Sequence, residues 1–161
     1  MNFQELLTTV TKQLKEKQYH IATAESCTGG LLAHYFTSLP GSSIYYDCGI
    51  ITYSNTAKQQ LLNVQPKTLE KFGAVSEQTA HEMATNIRNI ANTDIGLSTT
   101  GIAGPTGGTK EKPIGLVYIG LATPTTNTIQ QHQFSGNRHS IQQQTCQQAL
   151  KLLHQTLKTN K

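Results

Sequence analysis

Stretches with the period of a strand alternate with stretches with the period of a helix along almost all of this 161-residue chain. That alternation is what most limits the folds open to it. Residues 2–17 carry Leu6, Leu7, Val10 and Leu14, the stripe of an amphipathic helix. "HIATAE" reads as a short buried strand. "GGLLAHYFTSL" reads as a helix stopped by Pro40-Gly41. "SIYYDCGIITYS" reads as one long strand, and "NTAKQQLLNV" as a short helix ending before Pro66, with a loop beyond it. "SEQTAHEMATNIRNIA" is a helix with Ser76 as its N-cap and Glu77 in its first turn. "DIGLSTTG" is a strand that enters a glycine-rich loop. "IGLVYIGLAT" and "TIQQHQFS" form a hairpin across "PTTN". From Asn137 onward, Ile141, Thr145, Ala149, Leu152, Leu153 and Leu157 keep helical period.

The resulting order, α-β-α-β-α-α-β-β-β-α, predicts an α/β fold with a mixed β-sheet between two helical layers, a three-layer α/β/α sandwich. The length suits one domain, 1–161, with a core of its own.

Composition narrows the function. No apolar run approaches the roughly 20 residues of a membrane span, and "MNFQELLTTVTKQLKEKQYH" lacks the apolar centre of a secretory signal. The net charge is +4. Much of the excess sits on the terminal helices, at Lys12, Lys15, Lys17, Lys151, Lys158 and Lys161, and reads as solvated faces. A nucleic-acid surface would need a basic stripe interleaved with aromatics, and none is evident. Three cysteines, Cys27, Cys48 and Cys146, make no CxxC and leave one unpaired. That pattern points to a reducing, cytoplasmic setting rather than a disulfide scaffold. "HEMAT" lacks the second histidine of HExxH, so no metal site is expected.

In open α/β sheets ligands sit beyond the carboxyl ends of strands. Three segments place polar groups there: Ser26-Cys27-Thr28-Gly29-Gly30, Tyr53 through Lys58, and Thr100 through Gly108. The first lies at a helix start, where unpaired N–H groups can hold a phosphate or a developing oxyanion. Gly29 and Gly30 allow close approach to the backbone. Ser26 can be a cap, a phosphate ligand or a nucleophile, and local sequence leaves all three open. The P-loop, the G-x-S-x-G elbow and S-x-x-K are all absent.

A nucleophilic serine needs a base. Lys58, one turn into the helix after Tyr53, makes a serine–lysine pair conceivable. At an unperturbed pKa only about one lysine in 2,500 is neutral at pH 7. The pairing therefore demands burial of Lys58. Tyr53 could orient the amine or relay a proton, while an ordinary surface lysine is the plain alternative. In the third segment, "TTGIAGPTGGTKEKPIG" is not GxGxxG, but its backbone N–H groups could form an anion-binding concavity. A plain connecting loop is an equal reading, although loops of this length are often functional.

Together, "TAESCTGG", "GSSIYYDCGIITYSNTAKQQLL", "GAVSEQTAHEMA", "TTGIAGPTGGTKEKPIGLVYIGLA" and "FSGNRHSIQQQTCQQAL" resemble the CinA C-terminal domain family, the nicotinamide-nucleotide amidohydrolases. They occur in order from about Ile21 to Leu150. The length is similar to the stand-alone form of that domain.

The resemblance implies hydrolysis of nicotinamide mononucleotide to nicotinic acid mononucleotide and ammonia, without cofactor or metal. It implies Ser26 as nucleophile, with Tyr53 and Lys58 completing the centre. Substrate contacts are then expected from Cys27, Thr28, Gly29, Gly30, Thr100, Gly101, Gly104 and Arg138. Asn137 and Gln142 stand where the family often has an acidic residue and a second arginine, so the implied support for a phosphate is weaker. A homodimer or higher oligomer is also implied, with a small nucleotide as partner and neither nucleic acid nor membrane. The alternatives are an amidase for another amide, a non-catalytic nucleotide-binding module, and a DNA-partner role.

Overall fold

A computed structural model describes residues 1–159. Lys161, one of the lysines assigned to a solvated face, lies outside the described residues.

The first helix, α1 (Phe3–Lys17), starts at a capping box in which Asn2 and Glu5 satisfy each other's backbone N–H. Its stripe of Leu6, Leu7, Val10 and Leu14 is buried. Then follow β1 (Ile21–Glu25), α2 (Leu31–Thr37), β2 (Tyr46–Ile51), α3 (Asn55–Leu62), α4 (Pro66–Phe72) and α5 (Glu77–Ala91). The chain continues through β3 (Ile95–Gly101), β4 (Leu116–Ala122), β5 (Asn127–Gln133) and α6 (Arg138–Thr159). The strands form one five-stranded sheet in the order β2-β1-β3-β4-β5. The pairs β1/β2 and β1/β3 are parallel, whereas β3/β4 and β4/β5 are antiparallel. The sheet is mixed, and β4 and β5 form the expected hairpin.

Helices cover both faces. Leu6, Val10, Leu32, Phe36, Leu150 and Leu153 of α1, α2 and α6 pack with Ile21, Leu97 and Ile119 on one side. Leu62, Leu69, Met83 and Ile87 of α3, α4 and α5 pack with Ala22 and Ala24 on the other. The architecture is the expected three-layer α/β/α sandwich. Helix α5 lies close against the sheet because β3 and β4 present glycine beneath it. A Cβ on Gly96 would stand 2.1 Å from the Ala84 carbonyl oxygen, and one on Gly120 would stand 2.6 Å from that of Ala80.

Two local expectations change. The segment before β2 is not strand throughout: Gly41 has φ +78° and Ser42–Ile44 form a 3₁₀ turn. Tyr45 is then buried, donating its hydroxyl to the Phe36 carbonyl at 2.6 Å. Second, the loop expected after Pro66 is the helix α4. Proline at the first helical position gives up no hydrogen bond, so it starts a helix as readily as it stops one. Glu82 of α5 accepts from the Gln65 N–H at 2.7 Å and from the Thr68 hydroxyl, fastening this helix. No helix among the described residues is long and apolar enough to cross a membrane.

The register decides what meets beyond the sheet. Glu25 stands opposite Ile51 on one side and Thr99 on the other. Three parallel strands therefore end together, bringing Ser26, Thr52-Tyr53 and Thr100-Gly101 to one edge.

Candidate active site

Ser26 leaves β1 with its N–H donated to the Thr99 carbonyl at 3.0 Å. Its side chain is almost covered, with 8% of the residue exposed. Lys58 comes from α3, whose N-cap Ser54 accepts from the Ala57 N–H. That cap fixes the helix so that Lys58 points inward, and only 1% of the residue is exposed. Its Nζ donates to Ser26 Oγ at 3.0 Å and to the Thr52 carbonyl at 2.8 Å.

Burial disfavours the charged amine, and it pushes the Lys58 pKa down from 10.5 to about 8. The pair that sequence could only suggest is a direct hydrogen bond between a covered serine and a lysine whose neutral form is accessible.

A cleft of ≈160 Å³ opens over this pair. Ser26, Cys27, Tyr53, Lys58, Thr100, Gly101 and Arg138 line it, together with Ala74, Val75 and Ala103. Thr100 is held by its hydroxyl on the Ala74 carbonyl at 2.7 Å. Gly101 sits where a Cβ would meet Val117 and the Leu116 carbonyl at 2.6–2.8 Å.

Arg138, the first residue of α6, spans the rim. It donates to the Gly104 carbonyl at 2.7 Å and to the Tyr53 hydroxyl at 2.6 Å. Tyr53 is 62% exposed, and its hydroxyl faces Arg138 rather than Lys58. It stands just before the α3 cap, on the outer side of the junction. Asn137 caps α6, accepting from the Ser140 N–H at 2.9 Å.

Thr28, Gly29 and Gly30 lie beside the cleft without lining it. Gly29 and Gly30 take φ +60° and +97° to turn the chain into α2. Thr28 is buried, its hydroxyl 2.6 Å from Glu25 Oε1 and 2.7 Å from Thr99 Oγ1. Neither Ser26 nor Thr28 caps α2. Glu25 does, accepting from Gly30, Leu32 and Ala33 N–H. Sequence reading missed this residue. The signal was there: a helix begun by two glycines has no side-chain acceptor for its first amides, and a carboxylate stands a few residues upstream.

Cys27 is 4% exposed, and burial pushes its thiol up to about 12, so it is neutral at ordinary pH. Its carbonyl accepts from Gln142 Nε2 at 2.9 Å, a contact from α6 that periodicity could not reveal. Among the described residues no group of three or more His, Cys, Asp or Glu could hold a metal ion. A larger hollow of ≈360 Å³ beside Tyr19, Asp94 and Thr123 lies at the opposite end of β3 and brings together no nucleophile and base.

Comparison with known proteins bears on the whole chain. The profile of the CinA C-terminal domain matches residues 3–157. A protein of Caldanaerobacter subterraneus subsp. tengcongensis named for competence-damage induction is 49% identical over 148 residues, 92% of this chain and 36% of that protein. One of the same name from Acetivibrio thermocellus is 51% identical over 142 residues, 88% of this chain and 34% of that protein. The chain thus spans about a third of the length of these relatives.

Among solved structures, competence damage-inducible protein A of Klebsiella pneumoniae subsp. pneumoniae superimposes with a TM-score of 0.96 at 32% identity, covering 100% of both chains. The competence/damage inducible protein CihA of Agrobacterium tumefaciens gives 0.94 at 36% identity, covering 99% of this chain and 97% of that one. With the profile match, the identities and the shared fold all in agreement, this chain belongs to the CinA C-terminal domain family.

Proposed function

We propose that the chain is an amidohydrolase that converts nicotinamide mononucleotide to nicotinic acid mononucleotide and ammonia. The observation that carries the reading is the 3.0 Å hydrogen bond from Lys58 Nζ to Ser26 Oγ inside a covered cleft. A binding module has no use for a buried amine whose charged form is disfavoured by its surroundings.

In this reading neutral Lys58 takes the Ser26 proton, and the alkoxide attacks the carboxamide carbon. The negative charge that develops on the carbonyl oxygen is held by the N–H of Cys27, the turn residue that lines the cleft and that among the described residues donates to no backbone acceptor. The C–N bond breaks as the Lys58 ammonium protonates the departing nitrogen, releasing ammonia. Water then attacks the acyl ester, giving its proton to Lys58, and Ser26 Oγ recovers a proton as the acid leaves.

A volume of ≈160 Å³ suits the pyridine carboxamide rather than a whole nucleotide. The phosphoribosyl group then lies at the rim, beside Tyr53 and Arg138. The tyrosine serves there as a substrate contact, with Thr52 rather than Tyr53 orienting the amine. No cofactor or metal enters the scheme.

Ammonia release from nicotinamide mononucleotide, nicotinamide riboside and nicotinamide tests the assignment. The mononucleotide should be the best substrate by kcat/KM. A preference for an amide without phosphate would favour the second reading, an amidase for a smaller substrate, which the small cleft also suits. No release from any amide would overturn both.

A further inference from the structure

We infer that Glu25 is a positioning residue for this site: it holds the turn from Ser26 to Thr28 so that the Cys27 amide is left to face the reacting carbonyl. The inference rests on the reading of Ser26 as nucleophile.

Glu25 is the last residue of β1 and is 1% exposed. No lysine, arginine or histidine among the described residues forms an ion pair with it. Its partners are neutral donors. Oε1 accepts from the Thr28 hydroxyl at 2.6 Å, the Gly30 N–H at 3.2 Å and the Leu32 N–H at 2.9 Å. Oε2 accepts from the Ala33 N–H at 3.0 Å. Because Thr28 gives its one hydroxyl proton to Glu25, the 2.7 Å contact with Thr99 requires Thr99 to donate. Thr99 is the same residue whose carbonyl receives the Ser26 N–H. One carboxylate thus ties β1, the turn, α2 and, through two hydroxyls, β3.

The effect appears in the backbone of the turn. The Ser26 carbonyl accepts from Gly29 N–H at 3.1 Å and the Thr28 carbonyl from Leu31 N–H at 3.1 Å. The Cys27 carbonyl accepts from Gln142. All three carbonyls are turned to donors, where their lone pairs do not oppose a neighbouring anion. Among the described residues the Cys27 amide donates to no carbonyl, and only its own thiol lies against it. The first amides of α2 are not available to a substrate, because Glu25 occupies them. The anion-stabilising capacity at the cleft is therefore concentrated in the Cys27 N–H beside Ser26, and Glu25 from within and Gln142 from α6 hold the turn that carries it.

Glu25→Gln must turn an NH₂ toward a donor on one of its two sides, so it loosens the turn while keeping its volume. Gln142→Met removes the other restraint at a half-buried position. Both variants are assayed with nicotinamide mononucleotide, with kcat expressed per Ser26 titrated by a serine-directed phosphonate, so that a folding loss does not count. We expect kcat per site to fall roughly 10²-fold in Glu25→Gln and roughly tenfold in Gln142→Met, with KM within about threefold of wild type. The midpoint of the pH–rate profile should stay in place, since neither change touches Lys58. Wild-type kcat per site in both variants, or a loss carried by KM alone, overturns the inference. If Glu25→Gln does not fold, Thr28→Val, which removes the hydroxyl that ties the turn to Glu25, decides by the same criteria. Ser26→Ala runs alongside. If it turns over like wild type, the nucleophile reading falls and this inference with it. If it is inactive while both variants match wild type per site, only the positioning role falls.

Discussion

The state of Lys58 gives the most quantitative prediction. With a pKa of about 8 in place of 10.5, about one molecule in ten carries the neutral amine at pH 7, against roughly one in 3,000 for an exposed lysine. The cleft thus raises the population of competent base roughly 300-fold, equivalent to about 3 kcal/mol of differential solvation. If neutral Lys58 is the base, kcat/KM should climb about tenfold per pH unit below pH 7 and level off above about pH 8. Stability has a matching signature. The folded protein releases this proton near pH 8 and the unfolded chain near 10.5. Between those values the unfolded state binds more protons, so stability rises with pH across that window. Below pH 8 both states are protonated and the folded state bears the full penalty.

The assay pairs rate profiles from pH 6 to 9.5 with urea unfolding over pH 7 to 10.5, in wild type and Lys58→Met. Wild type should gain stability across the alkaline window relative to the variant, and the variant should lose ~10²–10⁴-fold in rate. A rate profile flat from pH 6 to 9, or one still climbing about tenfold per unit up to pH 9.5, would refute the argument that burial activates this lysine.

Two more outcomes follow from the turn and the thiols. Gly30→Ala should lower stability by about 1–3 kcal/mol in urea titrations, because φ is +97° and the new methyl would stand 2.9 Å from Ile51 Cδ1. Gly29→Ala, at φ +60° with no atom within 4 Å, should lose less, about 1–2 kcal/mol; equal losses would contradict the steric argument. At pH 8 iodoacetamide should modify half-buried Cys48 before Cys27 or Cys146, both covered and with thiols pushed up by burial. First labelling of Cys27, read by peptide mapping, would contradict its assignment as a packed neutral thiol.

The layers were legible because each element repeats its period. Leu6, Val10 and Leu14 repeat on one face of α1, and "IATAE" is apolar enough to be buried on both faces of the sheet. The turn before β2 was not legible, because isoleucine and tyrosine favour strands wherever they stand. What bent the chain there was Gly41 together with a distant hydroxyl contact from Tyr45 to Phe36. Pro66 is ambiguous by nature, and Glu82, well downstream, settled it as a helix start. Ser26 and Lys58 are 32 residues apart, and only the parallel pairing of β1 with β2 brings them together. Glu25 was passed over because a carboxylate at a strand end usually faces water. Its burial follows from the glycines that leave the amides of α2 in need of an acceptor.

The proposed reaction has Ser26 attacking an amide carbonyl with Lys58 as its base. Ammonia release from nicotinamide mononucleotide at pH 8, measured side by side for wild type and folded Ser26→Ala, tests it most directly. Wild type should release ammonia steadily, and the variant none above the uncatalysed rate. Equal rates in the two proteins would contradict it.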